Sequence, residues 1–232
     1  MEMNVRLMVL SLIITLLVFF GVFFASGVFS DKRETAVIDK MDRVIKRYED
    51  MQTIMFMSSI MGENATCPAL KAGLSEMNKD LWDLGNKIDN YRQATEQFHK
   101  DPFYLNQKRE FNRQEVLYLM MLRKMKDTCG INQTIVSFFF KRKEDCPDCD
   151  AQAFVLTDIK KDSEKFSKKD EIAIFSFDVD TNLTTVNLLT LYYNITEYPC
   201  SVIESGTYCG LRNKKELLNA LCKNSSLSVC GR

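Results

Sequence analysis

Thr134-Ile135-Val136-Ser137-Phe138-Phe139-Phe140, a charged loop Lys141-Arg142-Lys143-Glu144-Asp145, and then Cys146-Pro147-Asp148-Cys149 form the stretch on which the reading of the fold turns. The first seven residues are β-branched and aromatic, the composition of a buried strand. Beyond the cysteines, Ala151–Lys161 reads as a helix, so the two thiols stand between a strand and a helix start. Thiols separated by two residues close a small reversible disulfide, and at a helix start the first sulfur is the more acidic. Pro147 suits the first helical position, where its missing N–H costs nothing.

Toward the carboxyl end, Glu171–Asp178 is a near-continuous apolar run of the kind buried in a sheet centre. Leu183–Tyr193 reads as helix. Ser201–Ile203 and Tyr208–Leu211 flank Ser205-Gly206 as a hairpin, and Lys214–Cys222 closes with an amphipathic helix. The order β-α-β-α-β-β-α predicts a central mixed sheet with flanking helices. A right-handed first crossover places the cysteine pair at the carboxyl end of the first strand.

Toward the amino end, apolar residues recur at Val37/Ile38, Met41, Val44/Ile45, Tyr48, Met51 and Met55, the spacing of a helix with one greasy stripe. Gly62-Glu63-Asn64 breaks it. A second stripe (Leu70, Leu74, Met77, Leu81, Leu84, Ile88, Tyr91, Phe98) ends before Asp101-Pro102, because the residue before a proline disfavours helix. A third runs over about 104–127. Short breaks predict antiparallel helices, a hairpin with a third member. The stripes read first as core, with a partner face or coiled-coil seam for self-association as the alternative. Cys67 at the start of the second helix and Cys129 past the third are then candidates for a bridge, which needs their Cα atoms within about 7 Å. Trp82 reads as packing and His99, the single histidine, as a surface helix residue.

Lys+Arg and Asp+Glu balance at 31 each in the 232 residues, so no basic footprint suggests nucleic acid. Leu7 to Phe29 carries no charge and is long enough to cross about 30 Å of hydrocarbon. An uncleaved transmembrane signal-anchor is expected, with cleavage near Ala25-Ser26-Gly27 as the alternative. Eight cysteines and Asn-x-Ser/Thr triplets at Asn64, Asn132, Asn182, Asn194 and Asn224 suggest a disulfide-bonded, glycosylated body outside the cytosol. The expected layout is therefore an anchor over 1–30, a helical segment over 31–130, an α/β domain over 131–223 and a tail over 224–232. The expected location is single-pass in a membrane, with the carboxyl-terminal body extracytosolic.

Residues 131–223 resemble the thioredoxin-like superfamily. The resemblance rests on Cys146-Pro147-Asp148-Cys149 after the first strand and Phe175-Ser176-Phe177-Asp178-Val179-Asp180 ending the second. It rests also on Tyr193-x-Ile195-x-x-x-Pro199 leading into the hairpin with Gly206, and on Lys215-Glu216-Leu217 in the last helix. It implies a thioredoxin-like α/β fold, preceded here by the transmembrane helix and the all-α hairpin segment. It also implies a cis bond before Pro199, with that proline against the cysteine pair. Departures are Asp145 where the family has Trp, Ser137 where it often has a buried Asp, the long charged loop 141–145, and Cys200 after Pro199 where Thr is common.

The chemistry implied is thiol–disulfide exchange without a cofactor. Cys146 acts as nucleophile, its thiolate favoured by the helix start, and Cys149 resolves the mixed disulfide. Tyr198 and Pro199 form the platform for an extended client. Pro147 and Asp148 tune the pair. Partners would be client thiols and disulfides, or a membrane redox partner. Zinc normally takes four N/S ligands, and Cys146, Cys149 and Cys200 supply only three, so no metal is expected. Cys200, Cys209, Cys222 and Cys230 allow three pairings, with a regulatory role for Cys200 as another option. The rival reading is a non-catalytic binding or assembly module; a third is a subunit of a glycan-processing or secretion complex.

Overall fold

The computed structural model describes residues 2–94, 101–167, 171–223, 225 and 227–231, with side chains described outside 2–8, 25–31, 33, 91–94 and 231. His99 lies outside the described residues. Three long helices come first: α1 (Glu2–Met61), α2 (Glu63–Ala94) and α3 (Pro102–Cys129). Then follow β1 (Thr134–Phe140), α4 (Cys149–Phe166), β2 (Ile172–Asp178), α5 (Thr184–Tyr192), β3 (Cys200–Ile203), β4 (Gly206–Cys209) and α6 (Lys214–Lys223).

Local chemistry sets the helix ends. Gly62 stops α1 with φ +85, its N–H donating to the Ser58 carbonyl at 2.9 Å, a left-handed conformation that a Cβ would oppose. Asp101 caps α3 by accepting from Phe103 N–H at 2.9 Å, with Pro102 in the first turn, and Gly130 closes the other end at φ +61.

The expected fold class is corrected here. Helix makes up 72% of the structure and the sheet is a small four-stranded mixed one. Among the described residues, no helix is long and apolar enough to cross a membrane. The expected anchor is overturned, and the single-pass location that rested on it falls with it. Backbone helix also continues through position 30, where a boundary was expected.

The strand order is β2-β1-β3-β4, with β1 parallel to β2 and antiparallel to β3, and β3 antiparallel to β4. Side chains alternate across a strand, so β1 feeds two cores. Ile135 and Phe139 join Phe175, Phe177 and Val202 under α3 and α5, in a cluster that runs on into the stripes of α1–α3. Val136 and Phe138 join Leu156, Ile159, Leu217 and Leu221 under α4 and α6. The stripes of α1 and α2 are therefore core: Val37, Met41, Val44 and Met51 are buried with Leu74, Met77 and Leu84. Trp82, expected to pack, is 46% exposed.

Polar cross-links fix the helices. Lys40 Nζ donates to Asp80 Oδ1 at 2.6 Å and Arg47 Nε to Asp80 Oδ2 at 2.9 Å. Burial pushes the Asp80 carboxyl up, but those two cations outweigh it and hold it below its ordinary value. Helix α3 also completes the β2 edge, whose outer backbone groups have no strand partner. Glu115 Oε1 accepts from Ser176 N–H at 2.9 Å, Asn112 Nδ2 donates to the Ser176 carbonyl at 3.1 Å, and Asn112 Oδ1 accepts from Asp178 N–H at 3.2 Å. Covering an edge in this way prevents its pairing with another chain. One core and these bonds run across position 130, so the helical segment and the sheet pack as one body.

Candidate functional site

The cysteine pair is joined, with Cα atoms 5.4 Å apart. Its backbone forms a β-turn. Cys149 N–H donates to the Cys146 carbonyl at 3.2 Å, and Asp148 has φ −88 and ψ −5. Those angles belong to the third position of a type I turn, where proline is favoured at the second. Pro147 therefore serves the turn, and the expected first helical position belongs instead to Cys149. Asp148 is the residue before the helix, yet its side chain makes no capping bond. Pro147 and Asp148 are exposed, while the cysteines are covered: Cys146 is 2% and Cys149 4% exposed.

Register brings Tyr198 and Pro199 to the same end of the sheet. Phe139 pairs with Cys200, so Pro199 stands level with Phe140, the last residue of β1. The Tyr198–Pro199 bond is cis. The Pro199 carbonyl accepts from Gly210 N–H at 2.8 Å, which ties this corner to the end of β4. Lys141, in the loop leading to Cys146, lies 5.0 Å above the Tyr198 ring. Burial raises the Tyr198 phenol, and the Asp180 charge raises it further. Arg142 N–H donates to Asp180 Oδ2 at 2.7 Å, so the same loop is pinned to the turn after β2.

A cavity of about 570 Å³ is lined by residues on either side of the pair in sequence, though by neither cysteine. Lys143 and Glu144 line it on one side of the cysteines and Asp150 on the other, with Lys108, Phe140 and Asp178 behind. Burial raises the Asp178 carboxyl, against the Lys108 charge 3.6 Å away.

The remaining cysteines are all bridged. Cys67 joins Cys129, with Cα atoms 5.5 Å apart, and Cys222 joins Cys230. Cys200 and Cys209 face each other across β3 and β4 and are joined, so Cys200 offers no free thiol to a metal or to the first pair. Among the described residues, no group of three or more His, Cys, Asp or Glu side chains could hold a metal ion. Of the triplet asparagines, Asn64, Asn132, Asn182 and Asn194 are exposed; the side chain of Asn224 lies outside the described residues. Ser137 is fully buried on the α3 side of the sheet, and its hydroxyl has no partner.

Sequence reasoning passed over several residues around the pair. Gln152 is 1% exposed, and its Oε1 accepts from Arg212 N–H at 2.7 Å. It falls on the stripe Cys149, Leu156, Ile159, Ser163, where a polar side chain at a core position was a legible signal. Asp180 and Lys108 gave none, since each meets its partner only through the fold.

The chain matches no protein-family model, and no curated protein matches it in sequence.

Proposed function

We propose that this protein is a thiol–disulfide oxidoreductase in which Cys146 and Cys149 cycle between a bridge and two thiols. The observation that carries the reading is the bridged pair, set in a turn between β1 and α4, at the end of the sheet where the cis Tyr198–Pro199 bond also lies. This arrangement resembles the thioredoxin-like superfamily. Reduced, the Cys146 thiolate attacks a client disulfide, forming a mixed disulfide and releasing one client thiolate. Cys149 then attacks the Cys146 sulfur, restoring the bridge and releasing the second client thiolate. Two electrons pass to the client, and the two protons of the cysteine thiols end on it. The unfilled first turn of α4 favours negative charge beside the pair.

A specific observation supports a second reading, a non-catalytic binding module. Cys146 is 2% exposed, so a client reaches its sulfur only when the surrounding structure moves aside.

Insulin reduction with a dithiol as electron source separates the two. Wild type is expected to turn over, Cys146→Ser to fall to the no-protein rate, and Cys149→Ser to accumulate a mixed disulfide through Cys146. Equal rates for wild type and Cys146→Ser would leave only the binding module.

A further inference from the structure

Gln152 stands three residues after Cys149 on α4, so the two side chains are neighbours on one helix face. Its two ends are treated differently. Oε1 accepts from Arg212 N–H at 2.7 Å, whereas Nε2 is buried with no hydrogen-bond partner. A buried donor without an acceptor is costly, and native proteins rarely keep one. The Arg212 bond accounts for the amide oxygen, but nothing in the structure accounts for the buried NH2 group.

The bridge supplies a reason. While joined, the sulfurs of Cys146 and Cys149 are weak acceptors. When the bridge opens, Cys149 must react as a thiolate although it is only 4% exposed. Burial in apolar surroundings opposes that charge, and a nearby donor with no other acceptor offsets it.

We infer that Gln152 Nε2 donates to the Cys149 thiolate once the pair is reduced, and so stabilises the resolving sulfur. This rests on the exchange reading above. Gln152 takes no part in electron transfer. It makes more of Cys149 available as the anion that attacks the Cys146 sulfur of the mixed disulfide, expelling the client thiolate. The Arg212 bond holds the amide in place, so the β4–α6 loop becomes part of the apparatus. Other charges near the pair are Asp148 just before α4 and Asp150 on it, Lys141, Arg142, Lys143, Glu144 and Asp145 in the preceding loop, Asp178, Asp180 and Lys108 beyond that loop, and the Arg212 side chain. The carboxylates among them oppose the anion and the cations favour it, and a neutral donor acts beside both.

The test measures, in the full chain after mild reduction, the pH profile of Cys149 alkylation resolved by peptide mass. Gln152→Met removes donor and acceptor without adding charge. Gln152→Glu keeps an acceptor for Arg212 N–H and removes the donor. Both are expected to raise the Cys149 midpoint by about one to two pH units, the roughly ten- to hundredfold effect of a hydrogen bond to a charged group. Gln152→Met loses the Arg212 bond and Gln152→Glu buries a carboxyl, so both are expected to lower the thermal midpoint, and the comparison rests on the Cys149 midpoint. An unchanged Cys149 midpoint in Gln152→Met overturns the inference, whatever Gln152→Glu does, since the latter alone would report its charge. If the wild-type bridge does not open in the folded chain, the exchange reading fails and this inference with it; if it opens and the variants match wild type, only this inference fails.

Discussion

The two faces of the sheet are filled from different parts of the chain. Toward α3 and α5, Phe139, Phe175 and Phe177 belong to a core that continues through Leu119 and Leu122 into Met77, Leu84 and Val44 of the first two helices. Toward α4 and α6, Phe138, Leu156, Ile159 and Leu217 form a separate cluster that the helical arm does not enter. The disulfides divide in the same way. Cys67–Cys129 spans 62 residues and fastens the arm, whereas Cys146–Cys149 spans three. The first removes much entropy from the unfolded chain and the second little. The long-range bridge thus ties the helical arm to the rest, while the short one contributes little to holding the fold.

The sharpest way to break this comparison is to remove the long-range bridge. Cys67→Ser with Cys129→Ser is expected to lower unfolding free energy by roughly 4 kcal/mol on the loop-entropy account. Cys146→Ser with Cys149→Ser should cost far less. Urea unfolding, followed at Trp82 in the arm and by the helical circular-dichroism signal, reads both. Equal losses from the two pairs would show that the division does not exist.

A smaller effect follows from the buried carboxyl that joins α3 to the sheet. Burial pushes Glu115 up to about 8, against the opposing pull of Ser176 N–H, Asn112 and Lys108. The folded chain therefore holds a proton that the unfolded chain has released above its ordinary value of 4.5. That contribution to stability is complete below about 4.5 and is lost as pH rises through 8, with a slope of up to about 1.4 kcal/mol per pH unit. Asp178, also raised by burial, acts with the same sign. Urea midpoints from pH 5 to 9 should fall in wild type and fall less in Glu115→Gln. Midpoints that rise with pH in wild type would contradict the assignment.

Much of the secondary structure was legible because its signals are local. The run 134–140 is a strand where its β-branched and aromatic residues predict one. The breaks at Gly62 and Asp101-Pro102 fall where α1 ends and α3 begins. The start of α4 was misjudged by about two residues, because Pro147 suits a turn as well as a first helical turn. The anchor was expected from the uncharged run Leu7 to Phe29, but among the described residues no helix is long and apolar enough to cross a membrane. Asn112 and Glu115 were invisible as edge partners, since they meet Ser176 across 64 and 61 positions. Around the site, both cysteines and Pro199 were legible from spacing and from the hairpin that follows. The burial of Cys146 and the bond from Arg212 N–H to Gln152 Oε1, 60 positions apart, arise only in the folded chain.

Quantitative thiol labelling against a graded dithiol potential tests the central claim most directly. The account predicts that two thiols per folded chain, mapped to Cys146 and Cys149, appear reversibly at a potential above about −300 mV, where structural bridges resist reduction, while Cys67–Cys129 stays closed. If the 146–149 bridge remains closed until the chain unfolds, the pair is a structural staple and the exchange reading is wrong.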